Sequence, residues 1–452
     1  MLLTTKYYQQ KLSKLNHITI NKDCIHFIKQ PEVFHQELIN LISSSKERIY
    51  ITALYLQDDE CGREILNLIF EHAKNTPSLN AYILVDFHRA QRGLMGKGKQ
   101  VGNTLMYEEL FNKYKINNVH ILGVPVKTKE LFGVLHLKGF VFDNTVLYSG
   151  ASINNIYLGY EHKYRLDRYH RIDSIQLANA FVKLLQDNII KNPAVCDLTN
   201  TDLIPNVKSI TEKIAKFKHH LKKTSYVFKP EGEKDNAVYA TPLIGLGNIR
   251  NLLNNVILKL LKTVEQEITI CTPYFNPPRQ LSKAILSLLK RNIKVNLVVG
   301  DKIANDFYIP SDQPFNRVGA VPYLYEDFLR NFCRQNQEFI NRGLLNVLLW
   351  KDGTNTYHVK GIFVDNKRYL LTGNNLNPRA WRMDIENGIL IQDPNQLLKD
   401  KFEDERKYIL EHTKRISRYT EIDNVDSIPE CYKAYLKRFY RFKLHLLIKN
   451  II

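Results

Sequence analysis

Alternating apolar residues in ERIYITALYLQ lead up to Tyr55, and QEITICTPYFN repeats the pattern before Tyr274. Alternation of this kind predicts buried strands. Each is followed by a segment of helical periodicity, REILNLIFEHA and LSKAILSLLKR, and then by a second apolar run ending in an aspartate, AYILVD to Asp86 and VNLVVGD to Asp301. Strand, helix, strand predicts a βαβ crossover and a largely parallel sheet in each copy. Further on, VLHLKGFVFDNTVLYSGAS (134–152) matches YHVKGIFVDNKRYLLTGNN (357–375), each with an Asp-Asn pair between two β-rich runs, as in a hairpin. A repeat of this length fixes the architecture before any single motif does. The expectation is an α/β protein of two similar halves packed as a pseudo-twofold pair, each a mixed, largely parallel sheet flanked by helices. The first half is assigned to 1–200, a connecting helix and loop to 201–240, the second half to 241–396, and a basic helical extension to 397–452.

The repeat carries chemistry. Each copy contains H-x-K-x4-D: His136, Lys138 and Asp143, then His358, Lys360 and Asp365. In extended chain, residues two apart share a face, so each imidazole lies beside an ammonium. That pairing suits a phosphate, the lysine neutralising its oxygens while the histidine attacks phosphorus or moves a proton. The aspartates fall on the opposite parity and are expected to brace the site. By composition roughly one histidine in 200 would match this spacing by chance, and the chain has 14. Two copies in repeat register, each followed by glycine, argue for function. Facing copies supply two imidazoles, as a phosphodiester exchange needs: a nucleophile on one side and an acid at the leaving oxygen on the other. Asp167 in RLDRYH and Glu386 in MDIENG, offset as Tyr55 is from Tyr274, are the candidates to orient the imidazoles. Ser152 and Asn154, with Asn375 and Asn377, either bind phosphate oxygens or form turns.

Net charge is +18, from 64 lysines and arginines against 46 acidic residues in 452. The surplus favours anionic partners: an acidic phospholipid surface, a phosphate-rich substrate, or non-specific ribosome or nucleic-acid association. At 44% hydrophobic residues the chain can build sizeable cores. The six cysteines are widely spaced without a metal pattern, and are read as reduced thiols in a cytosolic protein. No apolar run reaches the length of a membrane span, and the N-terminus lacks the pattern of a signal sequence.

HLKGFVFD and HVKGIFVD resemble the paired HKD motifs of the phospholipase D superfamily. Within it, LVDFHRAQRG, LGVPVKTKELFGVLHLKGF, GDKIANDFYIP, VPYLYE and TGNNLNPRAWRMDIENGI resemble the bacterial phosphatidylserine synthases over nearly the whole chain. The usual G-S-x-N after the aspartate here reads G-A-S-I-N and G-N-N-L-N.

The resemblance implies a metal-free, cofactor-free transfer of the phosphatidyl group from CDP-diacylglycerol to L-serine, giving phosphatidylserine and CMP through a phosphohistidine. By analogy His136 is the nucleophile, although the residues are nearly symmetric. Arg89, Arg92, Arg168, Arg379 and Arg382 are candidates to hold the diphosphate or the serine carboxylate. Phospholipase D and cardiolipin synthase-type enzymes, with water or a glycerol hydroxyl as acceptor, are the alternative. In the C-terminal YKAYLKRFYRFKLHLLIKNII, Lys433, Lys437, Arg438, Arg441 and Lys443 interleave with apolar residues that include Phe439 and Phe442. With a lipid substrate, this predicts a cytoplasmic protein attached peripherally and reversibly to the inner membrane through that tail.

Overall fold

A computed structural model describes residues 2–92, 102–232, 234, 237–310, 312–424, 428–442 and 449. In the first half, strands Arg48–Thr52, Asn80–Asp86 and Val119–Val124 lie parallel, joined through helices Glu60–Asn75 and Thr104–Tyr114. The second half repeats this with strands Glu267–Thr272, Lys294–Gly300 and Leu345–Trp350 and helices Arg279–Lys290 and Val321–Gln335. Helix Glu60–Asn75 forms where the pattern places it: Asp59 caps it by accepting from the Gly62 amide, and Ile65, Leu66, Ile69, Phe70 and Ala73 make one buried stripe. Each fully buried large apolar side chain in that stripe contributes about 1.5–3 kcal/mol.

The hairpins Phe140–Phe142/Thr145–Ser149 and Gly361–Val364/Arg368–Thr372 join these sheets antiparallel. Within the eight- and nine-stranded sheets parallel pairing joins three strands in each half and the other pairs are antiparallel, so both sheets are mixed, with antiparallel pairs in the majority.

Two expected boundaries shift. Helix Leu2–Ser13 buries Leu12 among Leu253, Val256 and Leu260 of the second half, and strand Ile18–Asn21 pairs antiparallel with Ala237–Leu246. The N-terminal segment through Asn21 therefore completes the second half. At the other end, Thr413–Ile416 adds a strand to the second sheet beside Leu345–Trp350. Helix Lys399–Leu410 stacks Phe402 on Tyr369 with ring centroids 3.5 Å apart. What reads as an extension is integral, because both elements carry apolar residues that the second sheet buries.

The halves share a core. Leu137, Tyr148 and Phe181 of the first pack with Trp350, Tyr357, Val359 and Ile385 of the second. The segments carrying the histidines lie in this seam.

Candidate active site

His136–Lys138 and His358–Lys360 are the extended lead-ins to the hairpins, not ladder strands themselves. Each lead-in pairs with the other half instead. The His136 amide donates to the Ile385 carbonyl at 3.1 Å, and the His358 amide to the Leu166 carbonyl at 2.8 Å. The glycine after each lysine turns the chain: Gly139 has φ +105° and Gly361 φ +148°, and a Cβ on Gly361 would lie 2.2 Å from Nη1 of Arg168.

This cross-pairing delivers the next residue of each partner strand to the imidazole. His136 Nδ1 lies 2.8 and 2.9 Å from the carboxylate oxygens of Glu386. His358 Nδ1 lies 3.1 Å from Asp167 Oδ2, which also accepts from Lys360 Nζ at 2.9 Å. Lys360 Nζ contacts His358 Nδ1 as well. Asp167 and Glu386 therefore orient the histidine of the opposite half. Holding Nδ1 this way directs Nε2 to chemistry.

Gly150 and Gly373 follow the same exchange. A Cβ on Gly150 would sit 2.7 Å from Asp167 Oδ2 and 3.0 Å from Lys360 Nζ, and one on Gly373 would sit 2.6 Å from Lys138 Cγ. Each glycine makes room for the lysine of the other half.

Burial tunes these groups. Both histidines are 7% exposed and both lysines 1%. Burial, then Lys360, pushes His358 down to about 3, while burial followed by Lys138 and Lys360 holds His136 far below its ordinary value. Both are neutral imidazoles with lone pairs to offer. Burial also lowers Lys138 and Lys360 to about 8, and for Lys138 the charge of Lys360 adds to the effect. Burial would raise Asp167, but Lys360 and the His358 hydrogen bond outweigh it and hold it at about 2.

Asp143 and Asp365 serve elsewhere. Asp143 accepts from the amides of Lys46, Glu47 and Arg48 at 2.8–3.0 Å, and Asp365 from those of Glu265, Gln266 and Glu267 at 2.8–2.9 Å. Both sit at the hairpin turns with positive φ and pin the start of the neighbouring strand. The expectation that they brace the reaction site is corrected: opposite parity puts them beyond the far end of the hairpin.

Asn154 Oδ1 accepts from the Tyr157 amide at 3.0 Å, and Asn377 Oδ1 from the Ala380 amide at 2.9 Å, so both close turns. Ser152 is buried, and the Asn375 carbonyl accepts from Thr272 at 2.7 Å. Among the arginines, Arg89 lies 4.6 Å over the Tyr55 ring, and Arg92 makes a two-pronged pair with Glu130 at 2.5 and 2.6 Å. Arg379 binds Asp384 at 3.1 Å, and Arg382 is exposed. Arg168 is corrected to a structural role: its guanidinium is buried over Phe363 and gripped by Glu405 at 2.6 and 2.9 Å.

Residues outside the motifs complete the surroundings of His358. The Tyr157 hydroxyl lies 2.9 Å from His358 Nδ1, and the Arg165 guanidinium 5.0 Å over the Tyr157 ring. Arg165 Nη1 meets Asp306 Oδ2 at 3.6 Å, while Tyr274 donates its hydroxyl to Asp306 and sets its ring 6.2 Å from that of His358. Arg165 stands two residues before Asp167, the one local signal that pointed to it.

The tail brings a further correction. In helix Glu430–Arg441 the apolar side chains Tyr432 and Leu436 are 2% and 1% exposed, packed with Tyr323, Leu324, Phe328 and Ile428. Lys437, Arg438, Arg441 and Phe442 are exposed, and Lys433 is 3.8 Å from Glu430. Lys443 and the Phe439 side chain fall outside the described residues. A helix whose apolar stripe is already covered lacks the free face on which a peripheral attachment was expected to rest, so the peripheral, cytoplasmic location is not supported. Among the described residues no helix is long and apolar enough to cross a membrane.

Residues 257–406 match the family model described as cardiolipin synthase, PLD-like domain. The chain is 45% identical to the CDP-diacylglycerol–serine O-phosphatidyltransferase of Haemophilus influenzae over 99% of each chain. It is 42% identical to the enzyme of that name from Escherichia coli K12 over 98% of each. The crystal structure of phosphatidylserine synthase from Haemophilus influenzae Rd KW20 superimposes with a TM-score of 0.96, covering 99% of both chains at 45% identity. With the crossed histidine–carboxylate pairs of a duplicated phospholipase D-like fold, that similarity along its whole length places this chain in the family of CDP-diacylglycerol–serine O-phosphatidyltransferases.

Proposed function

We propose that the protein transfers the phosphatidyl group of CDP-diacylglycerol to the hydroxyl of L-serine, forming phosphatidylserine and releasing CMP. The observation that carries this reading is the pair of imidazoles, each held at Nδ1 by a carboxylate of the opposite half. In the first step the Nε2 lone pair of His136 bonds to the diacylglycerol-side phosphorus. The pyrophosphate P–O bond breaks and CMP leaves as its dianion. In the second step neutral His358 takes the serine hydroxyl proton as that oxygen bonds to phosphorus and the P–N bond to His136 breaks, and then releases that proton to solvent. Lys138 and Lys360 offset the charge on the phosphate oxygens in both transition states.

Mass spectrometry of protein incubated with CDP-diacylglycerol, without serine, tests this. A phosphatidyl adduct on His136 that disappears when serine is added is expected. CMP release with no adduct, or an adduct confined to His358, contradicts the assignment.

A further inference from the structure

Arg165 and Asp306 come from different halves and meet at 3.6 Å, with 11% and 20% of their side chains exposed. Arg168 and Glu405, by contrast, close to 2.6 Å with 4% and 6% exposed. The looser pair is nonetheless well positioned. Arg165 Nε donates to Thr356 Oγ1 at 3.1 Å and its plane rests on Tyr157, while Asp306 is held by the Tyr274 hydroxyl. A cation and an anion fixed by other partners, but only loosely engaged with each other, present two opposite charges to a ligand that carries both.

We infer that Arg165 and Asp306 hold the α-carboxylate and α-ammonium of the acceptor amino acid beside His358. Guanidinium suits a carboxylate, and an ammonium donates to a carboxylate. In serine both charged groups sit on one carbon and the hydroxyl on the next, so fixing the two charges leaves the hydroxyl as the group free to reach the imidazole.

The repeat explains why this charge pair is not duplicated beside His136. In the register that matches Asp167 to Glu386, the counterpart of Arg165 is Asp384, whose carboxylate is taken up by the Val134 amide at 2.9 Å and by Arg379 at 3.1 Å. Tyr157 and Tyr274 likewise face His358. The acceptor is therefore received on the His358 side, which makes His358 the base of the second step and leaves phosphorus to His136. This rests on the proposal that serine is the acceptor.

Steady-state kinetics of full-length Asp306→Asn and Arg165→Gln, with serine varied at saturating CDP-diacylglycerol, test it. Serine KM is expected to rise at least tenfold in each. Asp306→Asn should narrow the preference for serine over 3-hydroxypropanoate, which lacks the ammonium, and Arg165→Gln the preference over ethanolamine, which lacks the carboxylate. Asp306→Glu and Arg165→Lys, which keep the charge and guard against misfolding, should recover part of the serine affinity. Unchanged serine KM in the charge-removing variants, with wild-type CMP release still dependent on serine, overturns the inference alone. Wild-type CMP release indifferent to serine overturns the acceptor reading beneath it.

Discussion

Glu386 grips the imidazole of His136 from the other half of the chain, both carboxylate oxygens lying within 2.9 Å of Nδ1. Asp167 makes the reciprocal contact with His358. Each histidine depends on a residue it does not share a half with.

Glu386→Ala should therefore disable a motif it does not belong to. Loss of the Nδ1 partner is expected to lower kcat by about 10²–10⁴, with a smaller effect on the KM of CDP-diacylglycerol. Kinetics together with a melting curve check this. Near-normal kcat in a folded variant would show that Glu386 does not orient the base or nucleophile.

The lysines set an alkaline limit. Lys138 and Lys360 are lowered to about 8, so each is an ammonium below that pH and progressively neutral above it. Charge at the phosphate is lost as pH rises, and kcat should fall through pH 8 rather than through the ordinary lysine range near 10.4. A kcat–pH profile decides the matter, with Lys360→Arg expected to make the falling limb shallower, because Lys138 alone then titrates there.

Asp143→Ala and Asp365→Ala should cost stability rather than chemistry. Each leaves three backbone amides without their carboxylate. Solvent reaches part of this surface, so the loss is about 1–2 kcal/mol, comparable to removing a helix cap. Urea unfolding should show it, while kcat below the transition stays within a few-fold of the parent. A thousand-fold loss of kcat at unchanged stability would restore these aspartates to the reaction.

Glu405→Gln should be among the more damaging single changes distant from the motifs. It leaves Arg168 buried with its charge uncompensated, a loss of about 3–5 kcal/mol. Replacing both residues with apolar ones of similar volume is expected to restore much of that stability. Equal stability of parent and Glu405→Gln would argue against a charged pair at this position.

What could be read from the sequence was local. The strand and helix beginning each half, and the two H-x-K sets, announce themselves through periodicity and repetition over short stretches of chain. Which carboxylate serves which histidine depends on how two sheets meet, and Glu386 is 250 positions from His136. Arg165 and Asp306 escaped notice because one-sided residues leave no trace in a repeat. Asp143 and Asp365 misled for the opposite reason: repetition preserves a turn anchor as faithfully as a reacting group. Arg168 has the residue type and neighbourhood of a phosphate ligand, but its partner Glu405 lies 237 positions along the chain, beyond the reach of any local pattern.

Strand Ile18–Asn21 has a consequence for the order of events at the ribosome. It can take its place only beside Ala237–Leu246, which is made when about half the chain has already been synthesised. At roughly 5–20 residues per second, the newborn segment waits about 10–40 s for its partner. Strand Ile18–Asn21 is thus made well before the strand it docks on, and a substitution within it will be sensed by the half of the molecule synthesised later.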